Sequence, residues 1–272
     1  MNKYINTIEE IWKNFDKNFE YYKKKFFPLL QEIIEKLDKG ELTICYQEDG
    51  SWKINHWLKK SIILYIRFAS NNIYHNGCFN WYDKIEQKFT KYQIFDFETN
   101  KIRVVPGAII RKSAFIGKNT VIMPSFINLG AHIGSGTLID TWASIGSCAH
   151  IGNNCHISAG SGIGGVLEPI QNSPVIIEDD CFIGARSEIV EAVIVGKGSV
   201  LGMGVFLSAS TKIIFRDSGK IIYGKIPPYS VVVPGVAPAK DANTASLYCA
   251  VIIKTVDANT RKKVQINELL RH

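Results

Sequence analysis

The sequence predicts a mainly β chain organised around a parallel β-helix, with an α-rich domain before it and a short strand and helix after it. Three observations predict this fold. An aliphatic residue returns at every sixth position, a small residue follows four places later, and glycine often comes directly after the aliphatic one. The aliphatic positions of the two longest runs are Ile127, Ile133, Ile139, Ile145, Ile151, Ile157 and Ile163, then Ile177, Ile183, Ile189, Val195, Leu201, Leu207 and Ile213.

A six-residue period fits neither a helix of 3.6 residues per turn nor a simple alternating strand. It fits a prism in which each hexad forms one flat side and three hexads close one coil. The aliphatic side chain fills the axis, the small residue fits the corner, and glycine eases the bend. Coils then stack about 4.8 Å apart, the ordinary strand spacing. A β-sandwich is the alternative, but nothing in a sandwich maintains a six-residue register.

The repeat divides the chain into three predicted parts: residues 1–100, an α-rich N-terminal domain; residues 101–237, the β-helix; and residues 238–272, a C-terminal strand and helix. In the first part, apolar residues recur at helical spacing over 5–15 and 29–37, and again over 58–68. Between the last two helices, Asp49-Gly50 predicts a hairpin within 42–57. Two stretches, 164–176 and 215–225, interrupt the hexads and are expected to be loops that leave the prism.

The third part follows Gly235, and its composition changes along its length. Residues 247–256 form an apolar β-prone run, which predicts a strand. Residues 259–271 are basic and predict a helix.

Composition and charge narrow the function classes. The chain has 272 residues and a formal net charge of +7, which suits attraction of anionic small molecules. The lysines are dispersed and no nucleic-acid motif accompanies them, so no nucleic-acid partner is expected. No apolar run reaches the length of a membrane span and the N-terminus lacks a signal-peptide core, so we expect a cytoplasmic protein without a membrane partner. Six cysteines without a Cys-x-x-Cys pair are expected to be reduced packing residues.

Three histidines lie in the repeat, each five places after an aliphatic residue. His132 and His150 are eighteen residues apart and should lie above one another on one side of the prism, whereas His156 falls on the next side. Stacked histidines at a subunit interface could bind zinc. Because this pair lacks a third ligand on the same side, we expect no metal. The alternative hypothesis is a zinc enzyme built on the same repeat.

Two acidic residues and two groups of glycines are the other candidates. Asp140 lies between Ile139 and Trp142 and Glu188 closes a hexad, so either carboxylate could take a proton from an amine, although surface carboxylates are commonly only solvated. Glycines outside the corner positions could let a narrow ligand such as a pantetheine arm lie against the backbone, or could serve tight packing alone. These glycines are Gly160, Gly162, Gly164, Gly165, Gly202 and Gly204.

Longer motifs are more specific than the hexads, and together they resemble the tetrahydrodipicolinate N-succinyltransferase family. The resemblance covers the chain from about His56 to the end, while residues 1–55 match only in general layout. The motifs that carry it are Arg103-Val-Val-Pro106, Met123-Pro-Ser125, Ile139-Asp-Thr-Trp-Ala143, Ile145-Gly-Ser-Cys-Ala149, Gly162-Ile-Gly-Gly-Val-Leu-Glu-Pro169, Phe182-Ile-Gly-Ala-Arg-Ser-Glu188, Leu247-Tyr-Cys-Ala-Val-Ile252 and Ile266-Asn-Glu-Leu-Leu270.

The resemblance implies a left-handed parallel β-helix and a homotrimer. It implies transfer of succinyl from succinyl-CoA, the cosubstrate, to the amino group of tetrahydrodipicolinate in its acyclic form, 2-amino-6-oxopimelate, in the succinylase route to diaminopimelate and lysine. Arg103 and Asp140 match substrate-binding positions, and Asp140 and Glu188 match acidic residues implicated in catalysis. Sites in related acyltransferases lie between subunits.

The resemblance also bears on the cosubstrate. The segment Pro238-Ala239-Lys240 resembles the end-of-prism segment that lies by the cofactor in related enzymes. We therefore expect Lys240 to contact succinyl-CoA, together with the glycine surface at Gly202 and Gly204. An acetyl-CoA-dependent tetrahydrodipicolinate N-acetyltransferase is the nearest alternative within this class, and a non-catalytic trimeric scaffold is the alternative outside it.

Overall fold

The structure, a computed structural model, describes residues 2–76, 79–239, 241, 244–263 and 265–271. Its helices are α1 (Asn2–Asn14), α2 (Phe19–Asp38), α3 (His56–Phe68), α4 (Ile94–Asn100), α5 (Ala258–Lys263) and α6 (Ile266–Leu269). None of the described helices has both the length and the apolarity needed to cross a bilayer.

The strands before and within the prism are mostly two residues long. They are β1 (Cys45–Glu48), β2 (Ser51–Ile54), β3 (Asn72–Asn76), β4 (Phe79–Asp83), β5 (Arg103–Val104), β6 (Ile109–Ile110), β7 (Phe115–Ile116), β8 (Val121–Ile122), β9 (Phe126–Ile127), β10 (His132–Ile133), β11 (Leu138–Ile139), β12 (Ser144–Ile145), β13 (His150–Ile151), β14 (His156–Ile157), β15 (Gly162–Ile163), β16 (Ile176–Ile177), β17 (Phe182–Ile183), β18 (Glu188–Ile189), β19 (Ile194–Val195), β20 (Val200–Leu201), β21 (Phe206–Leu207), β22 (Ile213–Phe215), β23 (Ile221–Ile222), β24 (Lys225–Ile226), β25 (Ser230–Ala237) and β26 (Leu247–Thr255).

The prism has three faces of parallel strands, because from β5 to β18 each strand pairs with the strand three places further along the chain. The N-face contains β7, β10, β13, β16, β19 and β24, and the open face contains β6, β9, β12, β15, β18 and β21. The C-face runs through β5, β8, β11, β14, β17, β20 and β25 and continues into β26, β22 and β23. Ile133 lies opposite Ile151, eighteen residues later, so three hexads close one coil as predicted.

The axis of the prism is filled by the predicted aliphatic residues. From Ile127 to Ile157 each of them has no exposed surface, and the small corner residues Ala131, Ala143 and Cys155 are buried beside them. Burying one aliphatic side chain of this size stabilises a fold by about 1.5–3 kcal/mol relative to leaving it exposed. The repeated column of such residues accounts for the straight, regular prism.

The helical part packs on the N-face. Leu58 and Ile62 of α3 share one apolar core with Cys148 and Ile176 of the prism. Asp38, at the end of α2, adds polar contacts, since its Oδ1 accepts the Ser113 backbone N–H at 2.9 Å and its Oδ2 lies 2.8 Å from the ammonium of Lys88. The open face is different, because Phe126, Glu188 and Phe206 on it are exposed.

Two predictions in the N-terminal part need correction. The hairpin forms with Asp49 and Gly50 at positive φ, as expected, but it ends at Ile54 rather than at residue 57. Trp57 lies in α3 because it is buried on the same side of that helix as Leu58 and Ile62. The second hairpin, β3 and β4, and helix α4 were not predicted.

The C-terminal part also differs from prediction in two places. The stretch 215–225, predicted to be a loop, contains β23, which forms an antiparallel pair with β22, and β22 also pairs with β26. The strand predicted over 247–256 is confirmed as β26. The single helix predicted over 259–271 is wrong: extended backbone at Gln265 separates α5 from α6. Helix α6 instead packs Leu269 against Val200 and Val231 of the C-face.

Candidate functional site

Arg103 and Asp140 lie on the same face of the prism. Arg103 opens β5 and is exposed, and its guanidinium reaches to 4.0 Å from the sulfur of Met123, one coil further along. The Met123 backbone N–H in turn donates to the Ile139 carbonyl at 2.9 Å, so Asp140 is the neighbour on the next coil. Arg103 and Asp140 are therefore two coils apart along this face, and Met123 lies on the coil between them.

The Asp140 carboxylate is held by its own corner. Its Oδ1 accepts the Thr141 backbone N–H at 2.6 Å, and its backbone N–H donates to the Ile157 carbonyl. Its Oδ2 lies 3.9 Å from Nε2 of His156, and about one third of the side chain is exposed. The corner then passes through Trp142, which has a φ of +62° and a side chain that is 76% exposed. Asp140 thus presents one fixed and one available oxygen.

Glu188 lies on the open face and its position depends on a glycine. It opens β18, is exposed, and lies opposite Gly162 in the parallel ladder. A methyl group added at Gly162 would collide with both carboxylate oxygens of Glu188. The missing side chain at Gly162 is therefore what lets the carboxylate lie flat across the neighbouring coil.

The two candidate carboxylates are not brought together within one chain. Asp140 directly follows β11 of the C-face, whereas Glu188 begins β18 of the open face. The corner at Trp142 separates these faces. A single chain therefore supplies two half-sites, each with one carboxylate.

A cavity of about 620 Å³ lies where the 164–176 segment leaves the prism. Gly164 and Gly165 line its inner wall, and Glu191 contributes an acidic group beside them. A side chain at Gly165 would collide with the backbone of Gly146 on the adjacent coil, so tight packing explains that glycine. The other lining residues are Val166, Asn172, Ser173, Val175, Val190, Ala192 and Ala209.

The glycines predicted to contact the cosubstrate lie at the far end of the prism. A side chain at Gly202 would meet a methyl group of Leu270 at 3.4 Å, which is ordinary contact, so Gly202 lies beside the C-terminal α6 segment. Gly204 has a φ of +70° and open space on its outer side. Met203 between them is 70% exposed. Lys240, the third predicted contact, lies outside the described residues.

The histidines are placed as predicted. His132 and His150 stack on the N-face with ring centroids 4.6 Å apart, between Phe115 and Trp52, whereas His156 is on the C-face. Burial lowers the pKa of His132 to about 4 and that of His150 to about 3, so both rings are neutral at pH 7. Across the described part of the chain, no group of three or more His, Cys, Asp or Glu side chains is arranged to hold a metal ion.

The described cysteines are unpaired and buried. Burial raises the pKa of Cys148 to about 12 and also raises that of Cys45, so neither supplies a thiolate at pH 7. Cys155 and Cys181 occupy corner positions, as the repeat predicts. The described thiols therefore act as packing groups, while Cys78 lies outside the described residues.

Sequence reasoning missed Lys59. This side chain is fully buried, and its ammonium donates to the carbonyls of Pro169, Ile170 and Asn172 at 3.3, 2.9 and 2.7 Å. It therefore anchors the segment that borders the glycine-lined cavity. The available signal was its spacing, because Lys59 lies three and four residues before the buried Ile62 and Ile63 of the same helix.

Comparisons with known proteins agree with this architecture. A family profile described as tetrahydrodipicolinate N-succinyltransferase N-terminal matches residues 3–68, which extends the resemblance into the N-terminal domain. Profiles for the hexapeptide repeat of succinyl-transferase and for the bacterial transferase hexapeptide match residues 174–209 and 130–165. A solved 2,3,4,5-tetrahydropyridine-2-carboxylate N-succinyltransferase from Campylobacter jejuni aligns with a TM-score of 0.53 and 16% identity over 82% of this chain and 62% of that one, which supports the fold alone.

Curated relatives match over the full length. A 2,3,4,5-tetrahydropyridine-2,6-dicarboxylate N-succinyltransferase from Rickettsia felis is 56% identical, with 100% of both chains covered. A protein of the same name from Wolbachia sp. subsp. Brugia malayi is 53% identical over 100% of this chain and 99% of its own. The predicted fold class, mainly β with a left-handed parallel β-helix, is confirmed, and the chain belongs to the tetrahydropyridine-2,6-dicarboxylate N-succinyltransferase family.

Proposed function

We propose that this enzyme transfers succinyl from succinyl-CoA to the amino group of tetrahydrodipicolinate, in its acyclic 2-amino-6-oxopimelate form, in the succinylase route to diaminopimelate and lysine. The observation that carries the proposal is the placement of Arg103 and Asp140 on one accessible face, two coils apart, with the Arg103 guanidinium directed at Met123 on the coil between them. The acceptor has two carboxylates and one amine. A guanidinium on the same face as a fixed carboxylate can bind an acid group of the acceptor while the carboxylate faces its amine.

Asp140 is the proposed general base. Its Oδ1 is fixed by the Thr141 N–H, which leaves Oδ2 to orient the amine and to accept a proton as the C–N bond forms. When the C–S bond breaks, this proton passes to the departing thiolate sulfur, so that carboxylate and thiol are both regenerated. Losing such a base typically costs about 10²–10⁴-fold in rate. Because the described cysteines are buried packing groups, we propose direct transfer rather than a covalent acyl-enzyme.

The pantetheine arm of the cosubstrate is assigned to glycine surfaces. Gly202 and Gly204 present backbone beside α6, and we include Lys240 from the segment that follows the prism. A flat backbone surface admits a narrow chain closely and offers N–H groups to a developing oxyanion. Glu188 supports the reaction as a second acidic group. Its carboxylate lies over Gly162, which has no side chain to displace it.

A homotrimer accounts for the separation of the two carboxylates. Asp140 and Glu188 lie on different faces of one chain, so a complete site needs the open face of one copy beside the Asp140 corner of the next. Trp142, Phe126 and Phe206 are 76%, 39% and 50% exposed around that corner and face. Exposed aromatic groups of this kind mark association surfaces, and closed rotational symmetry repeats the contact three times.

The test is release of thiol from succinyl-CoA and from acetyl-CoA, each with and without tetrahydrodipicolinate. We expect release that depends on the acceptor and occurs with succinyl-CoA only. Release from acetyl-CoA instead would indicate an acetyl-CoA-dependent tetrahydrodipicolinate N-acetyltransferase with the same fold. Release from neither, with stoichiometric metal in the purified protein, would favour the zinc enzyme, and failure to bind CoA would favour a scaffold.

We also propose a cytoplasmic location. The described cysteines are unpaired, which is usual in a reducing compartment.

A further inference from the structure

His156 faces the proposed base from the adjacent coil. Its Nε2 lies 3.9 Å from Oδ2 of Asp140, and this nitrogen is buried without a hydrogen-bond partner among the described residues. The ring packs edge-on against Phe182 at a centroid distance of 5.0 Å, which fixes the direction of the imidazole. Nε2 of His156 and Oδ2 of Asp140 therefore face each other on the C-face, where they could form a hydrogen bond.

The gap between the two groups is small. An N–H···O hydrogen bond needs about 2.7–3.2 Å, so a movement of about 1 Å closes it. Contacts of this kind in substrate-free enzymes are often long and shorten when substrate binds. An unsatisfied buried nitrogen costs about 1–3 kcal/mol, so a side chain that carries one at this position needs an explanation beyond packing.

The surroundings keep the imidazole neutral. Burial lowers the pKa of His156, and the neighbouring Asp140 carboxylate opposes that effect only in part. The strand neighbours of His156 on either side, Leu138 and Phe182, are apolar. Within the part of the chain that is described, Asp140 is thus the charged group that acts on the ring. A neutral imidazole carries one N–H. In the tautomer that has this hydrogen on Nε2, the N–H points to Oδ2 of Asp140.

We propose that His156 is a positioning residue for the general base: its Nε2–H donates to Oδ2 of Asp140 when the acceptor binds, and holds the carboxylate aimed at the amine. With Oδ1 held by the Thr141 N–H, the carboxylate is then fixed at both oxygens. The imidazole keeps its proton throughout, so the amine proton still moves from Asp140 to the thiolate sulfur. This inference rests on the proposed function, in which Asp140 is the base.

The experiment compares His156→Leu with His156→Gln. Leucine fills the space without a donor, whereas the glutamine amide places an N–H near the position of Nε2. We expect His156→Leu to lower kcat by about 10–100-fold, the scale of a misplaced catalytic group, with little change in either KM. His156→Gln should retain most of the activity. Because a donor favours the ionised carboxylate, the acid limb of the kcat/KM profile should move to higher pH in His156→Leu and stay in place in His156→Gln.

A second comparison uses Asp140→Asn as the background. If His156 acts through Asp140, adding His156→Leu to Asp140→Asn should cause no further loss of kcat. Equal losses in both backgrounds, or an unmoved acid limb with equal losses in the leucine and glutamine variants, would overturn the inference while leaving the base intact. Near-normal turnover of Asp140→Asn would instead remove Asp140 as the base, and absence of succinyl-CoA turnover in the unaltered enzyme would remove the proposed function itself.

Discussion

The carboxylate of Glu188 lies across the α-carbon of Gly162, its partner in the parallel ladder of the open face. Any side chain at residue 162 would occupy the space of the carboxylate. The conformation of an acidic residue proposed to act in catalysis is therefore set by the absence of a side chain on the preceding coil. This relationship links one glycine of the repeat directly to the half-site.

Gly162→Ala should reduce activity without unfolding the prism. The added methyl group would displace the carboxylate of Glu188, which is exposed and can turn outward, so the cost in stability should be small. We expect kcat to fall about 10–100-fold, as a misplaced catalytic group predicts. The measurements are steady-state rates and the urea midpoint.

Gly50→Ala is the control for Gly162→Ala. Gly50 lies at the tip of the β1–β2 hairpin with a φ of +72° and nothing within 4 Å of an added methyl group. Left-handed backbone should make this variant less stable by about 1–2 kcal/mol, with unchanged kcat. If Gly162→Ala instead lost stability and kept full kcat, the carboxylate position would not matter for catalysis.

Lys59→Met should destabilise the enzyme and loosen the 164–176 segment. The variant leaves the carbonyls of Pro169, Ile170 and Asn172 without their shared donor. Hydrogen bonds from a charged group contribute about 1.5–3 kcal/mol each, and the variant also removes the cost of burying the ammonium, so we expect the unfolding free energy to fall by roughly 3 kcal/mol. Urea unfolding measures the total loss of stability. Faster amide hydrogen exchange in residues 166–173 would show that the loss is centred in this segment.

Lys60→Met is the matched control on the same helix. Lys60 lies 2.6 Å from a carboxylate oxygen of Glu9 in a partly exposed pair, which is worth at most about 1 kcal/mol. Similar losses in the two variants, with no change in exchange within the segment, would contradict an anchoring role for Lys59.

The stacked pair His132 and His150 should make the enzyme sensitive to acid. The unfolded chain begins to bind protons near pH 6.5, whereas the folded rings bind them only near pH 4 and 3. Between these values the unfolded state binds more protons, so stability falls as pH falls from about 6.5 to 4, by up to about 1.4 kcal/mol per pH unit for each ring. Glu178, Asp179 and Lys197 border the cavity beside His150 and add their own effects.

His150→Phe should reduce this acid sensitivity, because phenylalanine keeps an aromatic ring in the stack and does not titrate. The measurement is the urea midpoint from pH 7 to pH 4.5 at one protein concentration, compared with the unaltered enzyme. Carboxylates contribute equally to both proteins. His75→Gln, a change at an exposed histidine, is the control and should leave the slope as it is. An unchanged slope in His150→Phe would contradict the linkage.

Residues of the prism could be placed from the sequence because each six-residue repeat forms one side of a coil. The position of a residue in the repeat therefore fixes its position in the prism. Counting eighteen positions placed His150 over His132, and counting hexads placed Ile133 and Ile139 on the axis. The β3–β4 hairpin gave no such signal, since Ile73 and Tyr82 face each other and are 61% and 72% exposed. Without a buried face, a strand has no apolar alternation to detect.

Contacts between elements that are distant along the chain could not be predicted from the sequence. Lys59 meets Asn172 across 113 positions, and no local pattern joins them. The candidate carboxylates could be chosen by position and resemblance, but their separation onto two faces depends on where each hexad falls around the coil. The contact of Asp140 with His156 likewise depends on the directions of side chains on adjacent coils.

Arg103→Ala should weaken acceptor binding selectively. The guanidinium is exposed, and among the described contacts its terminal nitrogen meets only the sulfur of Met123, so it is available to a carboxylate of the acceptor. We expect KM for tetrahydrodipicolinate to rise far more than KM for succinyl-CoA, and Arg103→Lys to restore only part of the loss, because an ammonium lacks the planar bidentate geometry. Equal increases in both KM values would indicate a cosubstrate contact or a folding defect instead.

Mixing two inactive variants tests whether each site is shared between subunits. Asp140→Asn keeps Glu188, and Glu188→Gln keeps Asp140, so a trimer of both variants can contain an interface with both native carboxylates. With equal co-expression and random assembly, about one quarter of the interfaces in closed trimers should have this composition, so about one quarter of the native activity should return.

The control for this mixture is each variant expressed alone and then combined after assembly. Preformed trimers that do not exchange subunits should stay inactive, which separates complementation from residual activity. If both carboxylates acted within one chain, every subunit would lack one of them and co-expression would restore nothing. The placement of Asp140 on the C-face and Glu188 on the open face makes recovery the expected result, because two corners of one rigid prism cannot turn toward each other.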